Sequence, residues 1–180
     1  MPMAKKEVIA GVFDNLRRVI QAVHGYSNRA QRVGGLTGPQ LWAIKVLSES
    51  APTRVTDLAR RMYLHPSTVV GILDRLESKG LAARIRSAED HRVVDVKLTV
   101  KGKAIVDRSP AVAQGLILKG LEGLSERELR VVSEGLERLV GILGAQRMPP
   151  QLLFSSEVNL PRAEMTASGH RRKKETERVR

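Results

Sequence analysis

The sequence predicts a mainly α-helical fold that carries one two-stranded β-hairpin. Three observations predict it. Apolar residues recur at helical spacing along both ends of the chain. Residues 54–80 read as helix, tight turn, helix. Directly after them, "IRSAEDHRVVDVKLTVKG", Ile85 to Gly102, places two alternating runs around a charged tip.

The 180 residues fit one domain with a tail, and a hydrophobic content of 42% suffices for a core. Aromatic residues make up 3%, so that core has to be aliphatic. Thirty-one Lys and Arg stand against 19 Asp and Glu, a net charge of +12. Such an excess points to a polyanionic partner, a nucleic acid or an anionic membrane surface, or else to a merely soluble basic protein. Cysteine is absent, which removes disulfides, thiolate metal sites and cysteine redox switches, and fits a cytoplasmic location. No apolar run reaches the roughly 18 residues of a membrane span. "MPMAKKEVIAGVF" lacks the uniform apolar stretch of a secretory signal.

Taken in order, residues 7–26 carry Ile9, Val12, Phe13, Leu16, Val19, Ile20 and Val23 on one helical stripe, a spacing suited to packing on another helix. "VGGLTG" breaks the pattern. Thr37 as cap and Pro39 just inside predict a helix over about 38–50. "SAPTR" reads as a turn, and Thr56 as the cap of a short helix containing "DLARRM". Pro66 sits at a first helical position, and Gly80 ends the helix it opens. Strands follow at about 82–86 and 93–98. Thr99 caps a helix from 100 to about 119, with Pro110 as a kink or a real break. Ser125 and Glu128 form a capping-box pattern for a last helix over about 125–145, with Leu129, Val132, Leu136, Leu139, Val140 and Leu143 as its stripe. Beyond it prolines and a basic run read as a largely disordered tail, in which "LLF" and "VNL" can dock locally. No repeat is visible.

The helix from Pro66 to Lys79 has two faces. Advancing about 100° per residue gathers Val69, Ile72, Leu73 and Leu76 on one side and Ser67, Gly71, Asp74 and Arg75 on the other, with Thr68 and Val70 on the flanks. A small, hydroxylated outer face suits close approach to base edges in a major groove. Ser67 and Thr68 also lie where free backbone N–H groups attract phosphate. The alternative is a plain solvated helix face. The hairpin after this helix makes the unit a winged helix. Arg84, Arg86, Arg92 and Lys97 decorate it, while Ile85, Val94, Val96 and Leu98 alternate with polar residues. An arginine at the tip fits a narrow minor groove. Asp90, two residues before Arg92, can hold the guanidinium extended, or the pair is an exposed salt bridge.

These residues match a family. "VTDLARRMYLHPSTVVGILDRLESKGLAARIRSAEDHRVVDVKLTVKGKAIVD" resembles the winged-helix core of MarR-type transcriptional regulators. The carrying features are Leu58–Ala59, "PSTV" at Pro66–Val69, "LDRLESKGL" at Leu73–Leu81, Asp90-x-Arg92, and "LTVKG" at Leu98–Gly102. The resemblance covers about residues 7–145. It implies a homodimer with interlocked N- and C-terminal helices, each subunit placing one winged helix on palindromic double-stranded DNA. It implies a repressor of a neighbouring operon or of its own gene, relieved when a small aromatic or phenolic effector enters a cleft between the dimer helices and the DNA lobe. Carried over by position, Ser67 and Thr68 would sit in the major groove, Arg92 in the minor groove, and Arg75 nearer the backbone. Two features depart from the family. Val70 and Gly71 stand where polar or basic residues are common, although Val70 can still touch a thymine methyl. Pro110 interrupts an expected long helix.

The resulting division is an N-terminal dimerisation helix (1–36), a winged helix-turn-helix DNA-binding domain (37–103), C-terminal dimerisation helices (104–146) and a basic tail (147–180). The expected DNA-binding residues are Pro66, Ser67, Thr68, Val70, Gly71, Arg75, Arg84, Arg86, Asp90, His91 and Arg92. The stripes over 9–23 and 129–143 cover each other within one chain or serve a second copy. Phe13, Arg17, His24, Trp42 and Tyr63 are candidate effector-cleft residues, though such aromatics are more often core. His24, His65, His91 and His170 share no metal-ligand spacing, and no phosphate loop or nucleophile motif appears, so neither a cofactor nor catalysis is expected. The contrasting readings are a winged-helix module that binds a protein partner and a sequence-indifferent DNA architectural protein.

Overall fold

The computed structural model describes residues 4–32, 35–86, 94–153 and 159. Their order is α1 (Lys5–Arg32), α2 (Gly38–Ser50), β1 (Thr53–Arg54), α3 (Val55–Arg61), α4 (Pro66–Ser78), β2 (Ala82–Arg86), β3 (Val94–Leu98), α5 (Val100–Arg108), α6 (Ala113–Glu122) and α7 (Glu126–Ile142). The fold is mainly helical, as expected.

At the centre lies α2. Leu41, Ala43, Ile44 and Leu47 are fully buried, and Trp42 and Val46 nearly so. Its middle turns are apolar on most sides, with Lys45 and Glu49 left at the edge, and such a helix belongs inside. Its start is a capping box. Thr37 Oγ1 accepts from Gln40 N–H, and Gln40 Oε1 accepts from Thr37 N–H, both at 3.4 Å. Around α2 the core is closed by Leu58 and Met62 of the α3 turn, by Val69, Ile72, Leu73 and Leu76 of α4, and by Leu81, Val96 and Leu98 of the hairpin. It is aliphatic, as the composition requires, with Trp42 as its one aromatic member.

The α1 helix runs past the expected 26 because its inner face changes character. After Val23 the buried positions are Ser27 and Ala30, small residues that let the helix lie close to α2 but leave no apolar signal. "SAPTR" is not only a turn. Thr53 pairs with Val96 and Arg54 with Asp95, so the antiparallel sheet has three strands in the order β1-β3-β2. Thr56 is accordingly not a cap: α3 begins at Val55, and Arg54 at its N-cap makes no side-chain cap bond. A two-residue strand is too short to show a period. Pro110 is a real break. It lies between α5 and α6, with Ser109 closing α5.

How α4 hands over to the hairpin fixes the hairpin's position. Gly80 has φ +68°, its N–H donates to Glu77 O at 2.8 Å, and Leu81 N–H donates to Leu76 O at 2.9 Å. This is a Schellman turn that needs the left-handed glycine and buries Leu81. The hairpin then pairs in register from Ala82↔Leu98 to Arg86↔Val94. Thr99 closes the unit. Its N–H donates to Leu81 O at 3.1 Å, its hydroxyl donates to Gly80 O at 2.7 Å, and that hydroxyl accepts from Gly102 N–H at 3.1 Å. A side chain at Gly102 would put Cβ 2.1 Å from Leu81 O, which explains the glycine of "LTVKG".

α7 opens on the predicted box. The Ser125 hydroxyl and backbone N–H donate to Glu128 Oε2 at 2.6 and 2.9 Å. They hold the Glu128 carboxyl below its ordinary pKa, the hydroxyl contributing most. This favours the ionised form in the folded helix. The cap's contribution is therefore present above the ordinary carboxyl pKa and is lost as pH falls through the lowered one.

The stripes of α1 and α7 do not cover each other. Ile9, Val12, Phe13, Leu16, Val19 and Ile20 are exposed, as are Leu129, Val132, Leu136 and Val140; Phe13 is 54% and Leu136 58% accessible. No described element of the protomer lies over either stripe. Of the tail, Leu152 is half-buried against the core and Asn159 N–H donates to Pro150 O at 3.0 Å, so one residue from each of "LLF" and "VNL" docks locally, as the sequence allowed. The rest of the tail expected to be disordered lies outside the described residues.

Gly102→Ala should lower stability by about 1–3 kcal/mol, since overpacking against backbone forces a shift. The urea midpoint measures it, and an unchanged midpoint would contradict the close approach at Leu81.

Candidate nucleic-acid interface

Burial of Val69, Ile72, Leu73 and Leu76 turns the other side of α4 outward. There Pro66, Asp74 and Arg75 are exposed, and Ser67, Val70 and Gly71 half-exposed. Nothing lies within 4 Å of a Cβ built on Gly71, so this stretch of the face is open. The N-terminal end is ordered by a residue that is not among the expected contacts. His65 is the N-cap: its Nδ1 accepts from Ser67 N–H at 3.3 Å and lies 2.8 Å from Ser67 Oγ. Its place just before Pro66 is the one signal of this role that the sequence offers.

Thr68 departs from the expected outward flank. It is 5% exposed, and its hydroxyl lies 3.5 Å from Asn159 Oδ1. Two causes combine. Thr68 sits next to the buried Val69, and the docked Asn159 covers what remains.

Arg84 is held within the fold. From β2 its Nη2 reaches Asp74 Oδ1 at 2.7 Å, its Nη1 pairs with Glu77 Oε2, and its backbone N–H donates to Glu77 Oε1 at 2.7 Å. One guanidinium therefore spans two carboxylates one turn apart on α4 and joins the base of the hairpin to that helix. Spacing along α4 alone cannot show this, because the partner arrives from a different element. Arg86 is exposed at the far end of β2, opposite Val94. Asp90, His91 and Arg92 lie outside the described residues, in the seven-residue connection between Arg86 and Val94.

Among the described residues the candidate effector residues are not gathered around one pocket. Phe13 and Arg17 are on the exposed stripe side of α1, with the Arg17 guanidinium 5.8 Å from the Phe13 ring and paired to Asp14 at 2.8 Å. His24 is exposed further along α1. Tyr63 is 65% exposed, its hydroxyl 3.4 Å from Glu122 Oε1. Trp42 alone of the five lines a cleft of about 600 Å³ between α2 and α6, together with Lys45, Glu49, Arg61, Val112, Gly115, Lys119 and Glu122. The reason is topological: α1 packs through Val23, Ser27 and Ala30, so its N-terminal half, with Phe13 and Arg17, is left exposed. Among the described residues no three His, Asp or Glu side chains converge as a metal site, and no described helix is long and apolar enough to cross a membrane.

This architecture has known counterparts. A profile of the MarR family matches residues 36–94, from just before α2 to the first residue of β3. The chain is 30% identical over 115 residues to the HTH-type transcriptional repressor MdtR of Bacillus subtilis (strain 168), covering 64% of this chain and 74% of that one. It is 36% identical over 101 residues to the uncharacterized HTH-type transcriptional regulator YfiV of the same organism, covering 56% and 63%. Among solved structures, the YusO protein from Bacillus subtilis superposes with a TM-score of 0.50 at 25% identity, over 77% of this chain and 99% of that chain. Through the matched winged-helix segment and the identity it shares with MdtR over most of that repressor's length, this chain belongs to the MarR family.

Proposed function

We propose that this chain is a DNA-binding transcriptional regulator, a repressor acting as a homodimer on a palindromic duplex, and not an enzyme. The observation that carries the reading is the outward face of α4. It is narrow and open at Gly71, hydroxylated at Ser67, and basic at Arg75. A major groove admits one helix, and small residues allow the approach that base readout needs. The family membership and the name of the repressor MdtR support the same reading. The net charge of +12 supplies the long-range attraction.

In this reading Pro66, Ser67, Val70 and Gly71 face base edges, and Thr68 joins them once Asn159 leaves. Arg75 meets the backbone. Arg84 acts indirectly: tied to Asp74 and Glu77, it sets the angle at which the hairpin leaves α4. Arg86 and the connecting residues Asp90, His91 and Arg92 are assigned to the wing contact, with Arg92 in the minor groove.

The uncovered stripes of α1 and α7 argue for pairing. Two long amphipathic helices with their apolar sides in water are completed by a second copy, and a two-fold pair matches two half-sites about 34–36 Å apart. A small aromatic or phenolic effector is assigned to the cleft beside Trp42, where Lys45, Arg61 and Lys119 can attract an acidic group. It would release DNA by favouring a spacing of the two α4 helices that no longer fits the duplex.

Titration of operator and scrambled duplexes at several salt concentrations tests the reading. Specific recognition predicts a preference of at least about a thousandfold for operator. Equal binding would make the protein a DNA architectural factor, and no binding would make it a protein-binding module. Arg92→Ala should weaken operator binding, whereas an unchanged affinity removes the minor-groove assignment. Gly71→Ala should raise stability by about 0.5–1 kcal/mol, because alanine loses less backbone freedom in a helix. The same change should reduce operator affinity by crowding the groove. A variant both more stable and equally tight would show that this face does not approach bases. Trp42 is the only tryptophan. A phenolic acid that enters its cleft should quench its fluorescence at concentrations that release DNA, and release without quenching would place the effector elsewhere.

A further inference from the structure

The N-terminal end of α4 already has an occupant from its own chain. Asn159 Oδ1 accepts from the His65 backbone N–H at 2.8 Å and from the Thr68 hydroxyl at a longer 3.5 Å. The amide's orientation is fixed by the His65 N–H, which can only donate. Asn159 is anchored in turn, its N–H donating to Pro150 O at 3.0 Å. Nearby in sequence, Leu152 packs half-buried against the core. The result at the helix is that Thr68 is 5% exposed.

We propose that Asn159 acts as an autoinhibitory strap, its side chain occupying donors at the start of α4 that a DNA phosphate would otherwise take. The inference rests on the DNA-binding reading above and adds regulation to it. The start of a helix is a place for an anionic oxygen, and the donors that Asn159 engages there are the His65 N–H and the Thr68 hydroxyl, the Ser67 N–H being taken by His65 Nδ1. An uncharged amide oxygen there satisfies the same donors without the charge. A phosphate oxygen is the stronger acceptor, because hydrogen bonds to ionised groups exceed those between neutral ones. The strap is therefore displaceable. While it is seated, only the open fraction of the protein competes for duplex, and the apparent Kd rises by the inverse of that fraction. Nonspecific contacts that do not need the start of α4 are spared. The strap thus taxes docking that seats the start of α4 on the duplex more than loose electrostatic binding.

Asn159→Ala in the full chain isolates the effect, since it alters neither the net charge nor the basic residues of the tail. The expected result is operator binding roughly threefold to tenfold tighter, the range one hydrogen bond supplies, with an unchanged salt dependence. Asn159→Asp should act the other way, because a carboxylate holds the donors more firmly and repels the duplex. Hydrogen exchange at the His65 amide gives a readout independent of DNA, and it should quicken in Asn159→Ala. Equal operator affinity of wild type and Asn159→Ala would overturn the proposal, as would His65 exchange unaltered by the substitution. If the wild-type chain binds no duplex, the DNA-binding reading itself fails and this inference falls with it, a result distinct from equal binding by both proteins.

Discussion

The arrangement depends on the burial of one side of α4. Val69, Ile72, Leu73 and Leu76 are wholly withdrawn from water against α2 and the hairpin. Each such side chain is worth about 1.5–3 kcal/mol of burial, so rolling the helix about its axis would expose four of the core's fully buried side chains together. The outward face is a consequence of the inward one. The chain beyond α4 is fixed with similar stringency. The left-handed Gly80 turns it, Leu81 completes the apolar contact, and Gly102 lets α5 close on the Leu81 carbonyl. Arg84 then ties the base of the hairpin back to Asp74 and Glu77. Helix and hairpin consequently form one rigid reading head. That fixed geometry matters for the proposed reading, in which contacts to two grooves would be made at once.

Local chemistry was the legible part of the sequence. Pro66 at a first helical position, Gly80 at a helix end, Thr37, Thr99 and Ser125 as caps, and period-two alternation on either side of the hairpin tip all act over a few residues. They survive folding because packing agrees with them. The features that left no mark in the sequence are tertiary. β1 is two residues long and exists only because β3 lies beside it. The continuation of α1 is written in Ser27 and Ala30, whose smallness serves close packing and leaves no hydrophobic period. Arg84 looked like a free wing cation because its two carboxylates belong to another element. Thr68 looked outward because its cover, Asn159, is 91 residues away along the chain. The effector candidates are aromatic and polar residues near the first helices, and the fold leaves Phe13 on the exposed stretch of α1 while Trp42 lines the cleft between α2 and α6.

The two unfinished parts of the protomer have a common logic. The stripes on α1 and α7 are apolar surfaces with no cover among the described residues, whereas the start of α4 is a polar surface with a cover that can leave. A second copy would remove the first from water, and a duplex would replace the second. Both events would strengthen the same complex. In the proposed pair two α4 helices would stand at a fixed separation, which would let phosphate compete with Asn159 at both half-sites together.

The separation of the two α4 helices on DNA is the most direct test. The chain has no cysteine, so Ser78→Cys, at the end of α4 away from the proposed base contacts, gives one spin-label site per protomer. Dipolar spectroscopy of the labelled protein on operator should return one narrow distance distribution. Allowing for the label arms, it should place the two α4 helices about 34–36 Å apart, one turn of the duplex. No dipolar coupling on operator, or helices held at a separation that cannot span adjacent turns of one groove face, would contradict the account.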